Sequence, residues 1–140
     1  MRPSIAAFLA LAPMLAACGE PDPWAGIYLG TIDVQFTECA GGPPRTASFP
    51  GETVRLERDA GGQLFVNDVC LFVIDDYTTT SARYRPVGCD TTIEGVPVHF
   101  ELVSGRAELA DGRLVADLAY DVSGGVCYSA SSTFRGDRVE

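Results

Sequence analysis

The stretch Val103–Tyr120, VSGRAELADGRLVADLAY, decides the fold. At its centre stands Asp111-Gly112, a dipeptide favoured by two-residue type I′ hairpin turns, in which both central residues take positive φ. Folding the chain back on that turn sets Leu109 against Leu114, Ala107 against Ala116, Gly105 against Leu118 and Val103 against Tyr120 on one face. The other face receives Glu108 with Val115, Arg106 with Asp117 and Ser104 with Ala119. One face is uniformly core-like and the other carries a complementary ion pair, the sorting expected of an antiparallel sheet with one side buried.

The same period of two recurs on both sides of this hairpin. After Trp24, the residues Gly26, Tyr28, Gly30, Ile32, Val34 and Phe36 share one face, and the glycines among them imply a bend or a close approach. A three-residue loop at Asp59-Ala60-Gly61 would oppose Leu56 to Leu64 and Val54 to Val66. Val69–Ile74, Thr79–Pro86, Val98–Val103 and Val126–Phe134 read as further strands, with Ala40–Pro44 and Gly88–Gly95 as loops. No long segment beyond Trp24 keeps a helical apolar period. The expected fold is all-β, an antiparallel meander of about 8–9 strands closed into a small barrel, with a two-sheet sandwich as the alternative.

Composition fits one cored domain. The 140 residues are 46% hydrophobic and 21% charged, too apolar for a disordered chain. All 10 basic residues are Arg, and against 19 Asp plus Glu they leave a net charge of -9, the wrong sign for gripping phosphate backbones. Nucleic acid is therefore not an expected partner. Gly41-Gly42, Gly61-Gly62 and Gly124-Gly125 lack the spacing of a phosphate-binding loop and read as turns.

Arg2 is followed by the uncharged run Ile5–Ala17, too short to span a bilayer comfortably and suited to a secretory leader. The run ends in Leu15-Ala16-Ala17-Cys18, which resembles the lipobox of bacterial lipoproteins, where small residues fit a narrow peptidase cleft and the Cys thiol receives the lipid. The resemblance implies a signal peptide over 1–17 and a lipidated Cys18 with a short tether over 18–23. A single β domain over 24–140 follows, held outside the cytoplasm on a membrane of the bacterial cell envelope. Acyl chains such as palmitate would anchor it on the membrane, not across it.

Four cysteines then remain, Cys39, Cys70, Cys89 and Cys127. An even number in an oxidising compartment implies two disulfides, and three connectivities are open. If the first and last strands meet in a closed barrel, Cys39 comes into range of Cys127, leaving Cys70 to join Cys89. A zinc site is disfavoured, because there is no C-x-x-C pair and only one His. No cofactor or metal is expected.

The opening segment Trp24-Ala25-Gly26-Ile27-Tyr28 resembles that of lipocalin-like and other calycin-type small barrels, although here the Gly follows the Trp. Trp24 is expected to plug one barrel end. Candidate pocket-lining residues are the inner-face aromatics Tyr28, Phe36, Tyr120, Tyr128 and Phe134, rings that either surround a ligand or simply fill the interior.

No catalytic residue is assigned. His99 lies in a strand-like stretch without a nucleophile elbow and reads as structural. Asp75, Asp76, Asp90 and Glu94 lack the dense pattern of a calcium loop and read as solvated loop acids. The functional expectation is a noncatalytic envelope lipoprotein whose barrel binds a small apolar molecule or an envelope protein. One alternative is a proteinaceous inhibitor of a basic enzyme such as lysozyme, since Thr80–Tyr84 is faintly similar to a loop segment of C-type lysozyme inhibitors. The other is a carboxylate-based hydrolase, which would need two acids about 5 to 9 Å apart in a cleft.

Overall fold

The computed structural model describes residues 22–140, so the leader, the Leu15–Cys18 motif and the first part of the tether lie outside the described residues. Nine strands follow one another: β1 (Gly26–Glu38), β2 (Arg45–Arg58), β3 (Leu64–Asn67), β4 (Leu71–Asp75), β5 (Ser81–Tyr84), β6 (Val87–Ile93), β7 (Val96–Ala110), β8 (Arg113–Gly124) and β9 (Tyr128–Arg138). All pair antiparallel in one sheet. β1 lies between β2 and β9, and β5 pairs with β7, so the hydrogen bonds close into a ring. The described residues contain no helix and hence none able to cross a membrane.

β5 and β6 are one interrupted strand. Ser81 faces Glu108 and Val87 faces Leu102, so both pieces run along β7 in a single register. Pro86, which has no N–H to give to a ladder, lies in the gap. The stretch expected as a loop from Gly88 is thus largely strand, because Val87, Cys89, Thr91 and Ile93 alternate inward. The actual turn is Glu94-Gly95, with φ of 51° and 78°.

The Asp111-Gly112 turn has φ of 53° and 75°, the positive pair that the type I′ hairpin requires. Leu109–Leu114, Ala107–Ala116 and Gly105–Leu118 pair as expected, as do Arg106–Asp117 on the outer face. Beyond Ser104 the register shifts at a β-bulge, so Tyr120 pairs with Leu102 rather than Val103. The extra residue turns Val103 out to 53% exposure and seats Leu102 in the core at 0%. The β2–β3 hairpin differs too. Leu56 pairs with Val66 across a five-residue connection closed by Asp59 N–H to Gln63 O at 3.0 Å. This displacement by two positions keeps every side chain on its expected face.

Two ends of the barrel are built differently. At one end Trp24 is fully buried and belongs to the hydrophobic core. Its Nε1 donates to Thr78 O at 2.7 Å, and the Tyr28 hydroxyl donates to Trp24 O at 2.8 Å. Asp22 fixes the approach to this plug by accepting from Trp24 N–H at 2.9 Å and pairing with Arg58. The Arg58 guanidinium holds the Asp22 carboxyl below its ordinary value of 3.8. At this end β1 crosses β9 at Gly30 opposite Gly136, where a side chain on Gly30 would collide with the backbone of Arg135.

At the other end the wall is uneven. β3 and β4 are 4 and 5 residues long, whereas β7, β8 and β9 have 15, 12 and 11. Two disulfides brace this end. Cys70–Cys89 ties the β3–β4 turn to β6 with Cα atoms 6.0 Å apart, and Cys39–Cys127 ties the end of β1 to the β8–β9 connection at 5.4 Å. Their sequence separations of 19 and 88 correspond to about 3 and 4.6 kcal/mol in the loop-entropy account. Two disulfides suit a domain that folds in an oxidising, non-cytoplasmic compartment.

Candidate ligand-binding site

The short wall leaves a cavity of about 150 Å³ inside the barrel, between the Trp24 plug and the braced end. Ile32, Val54, Val66, Ala116 and Leu118 form its aliphatic walls; Phe72, Tyr84, Phe100, Tyr120 and Phe134 supply rings. Asp68, Val69 and Ser132 complete the lining. Asp68 and Val69 are also exposed, so the cavity opens beside the β3–β4 turn.

Strand alternation aims these groups inward. Phe72 is an inward residue of β4 and Phe100 one of β7 below the bulge, each nearly inaccessible to solvent. Tyr84 faces Gly105 across β5 and β7, and a Cβ on Gly105 would come within 2.9 Å of the Tyr84 side chain. Glycine there makes room for the ring to cross the strand. Four rings stand in contact along one side: Tyr84 to Phe72 at 6.1 Å between centroids, Phe72 to Phe100 at 5.9 Å and Phe100 to Tyr120 at 4.8 Å.

Burial pushes the Tyr120 phenol up to about 12, with nearby Tyr128 and Asp68 adding to it. The Tyr84 phenol is raised as well, first by burial and then by the charge of Asp68. Both stay neutral at physiological pH.

Of the five aromatics read from sequence, Tyr120 and Phe134 line the cavity. Tyr28 instead belongs to the closed end, where it is fully buried, with its hydroxyl accepting from Arg138 at 2.8 Å. Phe36 and Tyr128 pack on each other at 5.8 Å, outside the cavity lining. The sequence reading missed Phe72, Tyr84, Phe100 and Asp68. The first three sit in segments it read as strands; the missing information was which inward residues border the void.

His99 projects outward from β7, with Nδ1 2.9 Å from Asp90 and Nε2 3.1 Å from Glu101. Asp90, then Glu101, raise its pKa above the ordinary 6.5. No metal-binding cluster is present among the described residues. Asp75 is paired with Arg85 at 2.9 Å, while Asp76, Asp90 and Glu94 are exposed. Thr80–Tyr84 is mostly barrel wall: Ser81–Tyr84 is β5, with Ala82 and Tyr84 buried.

No protein-family model matches the chain, and no curated protein matches it. Among solved structures, the crystal structure of ywiB protein from Bacillus subtilis is similar at 10% identity and a TM-score of 0.40, covering 79% of this chain and 92% of that one.

Proposed function

We propose that this chain is a noncatalytic lipoprotein of the bacterial cell envelope, anchored through Cys18, whose barrel holds a small ligand in the cavity beside Phe72 and Phe100. The cavity itself carries the reading. Small barrels are commonly filled by their own side chains, whereas here five rings surround about 150 Å³ of space with an opening to solvent. An apolar cavity of about that volume accommodates a benzene-sized molecule. The polar groups, Asp68 and the hydroxyls of Tyr84, Tyr120 and Ser132, are few and share one lining, as in sites that orient a mostly apolar ligand.

Benzene titrated into the protein should shift the NMR signals of residues around Phe72 and Phe100. Ala116, which is 5% exposed and lines the cavity, provides the control. Ala116→Leu should fill the space and remove the shifts without unfolding the barrel. Absence of shifts in the parent chain would contradict the binding reading.

The anchor is tested separately. The lipobox resemblance of Leu15–Cys18 supports it, and in a bacterial host the chain should fractionate with membranes and begin at a lipid-modified Cys18. Intact mass decides. Cys18→Ala should abolish the modification, and an unmodified soluble chain starting elsewhere would overturn the anchor.

A further inference from the structure

We propose that the ligand is a small organic cation, an alkylammonium or quaternary ammonium group, held against the aromatic faces of the cavity with the Asp68 carboxylate at its mouth. This rests on the cavity being a ligand site. Tyr84, Phe72, Phe100 and Tyr120 form a continuous aromatic side, and Phe134 adds a fifth ring to the lining. Ring faces are the negative poles of aromatic side chains, and an enclosed cluster of them favours a cation over a neutral group of the same shape.

Asp68 supplies the charge. Among the described residues it is the only charged one lining the cavity, and no Arg shares that lining. One of its oxygens accepts from Val69 N–H at 2.9 Å, and among the described residues no salt bridge joins it to a cation. A neutral ligand would leave this carboxylate unused, and an anion would be repelled by it. The Asp68 charge opposes ionisation of both Tyr84 and Tyr120, so the field it exerts reaches the interior, where the same sign favours a cation. The overall charge of -9 adds long-range attraction for a positive ligand.

The test compares two probes of one shape. Choline and 3,3-dimethylbutan-1-ol differ in having a quaternary nitrogen or a carbon at the branch point. They are titrated calorimetrically into the full-length chain, isolated as the host processes it. Choline should bind at least about tenfold more tightly than the alcohol. Asp68→Asn keeps the shape of the side chain, and Phe100→Leu keeps apolar volume without a ring. Each should weaken choline by about fivefold or more, and by a clearly larger factor than it changes alcohol binding. Equal binding of the two probes overturns cation selectivity and leaves the cavity reading standing. Binding of neither overturns this inference; the benzene titration then reports separately on the cavity. Retained choline preference in both variants assigns the selectivity to other groups and also overturns it.

Discussion

Trp24→Ala is expected to destabilise the domain by about 3–5 kcal/mol, the range for removing a large buried aromatic side chain from a core. The indole is fully buried just ahead of β1 and reaches the β4–β5 connection through its bond to Thr78. Its loss also leaves Thr78 O without the 2.7 Å bond from Nε1. Denaturant unfolding followed by circular dichroism measures the change. A loss below about 1 kcal/mol would place Trp24 among ordinary surface substitutions and would mean that it does not close the barrel.

The second large effect distinguishes the two faces of the β7–β8 hairpin. Leu114 has no exposed surface, and Leu114→Ala should cost about 2–5 kcal/mol through lost transfer energy and the space left behind. On the outer face, Asp117 stands 3.8 Å from Arg106, with side chains 44% and 77% exposed, and also accepts from Thr133 Oγ1 at 2.6 Å. Water screens such a pair, so Asp117→Ala should cost about 1 kcal/mol or less. Equal losses at the two positions would contradict the register, since moving a strand by one residue exchanges its faces.

What could be read in advance follows from where side chains carry the information. Asp111-Gly112 announces its turn, and the alternation on either side supplies the register of the neighbouring pairs. The bulge at Val103 has no such marker. Leu102 and Val103 are both aliphatic, and only the closure of β7 against β8 decides which of them turns inward. β6 is obscured by Gly88 and Asp90 at its outward positions, although Val87, Cys89 and Ile93 retain the inward alternation. In the β2–β3 hairpin the side-chain faces were legible, but the loop length was not, because displacement by two conserves parity.

The cavity was legible only in part. Tyr120 and Phe134 could be identified as inward-facing rings, yet so could Tyr28, which packs at the closed end beneath Trp24. Distinguishing a lining ring from a filling ring requires the height of each residue along the barrel, and that depends on the stagger of all the strands. Asp68 carries no alternation signal, since it lies in the turn after β3. Its proximity to the aromatics follows from the shortness of β3 and β4 and from the brace between Cys70 and Cys89.

A crystal of the protein under xenon pressure tests the central claim, a hollow barrel interior, most directly. Xenon enters apolar cavities of this size and is readily located by its scattering. The predicted result is a xenon atom inside the barrel, bordered by Phe72, Phe100, Leu118 and Phe134. An interior without xenon, filled by rotated side chains of those same residues, would contradict it.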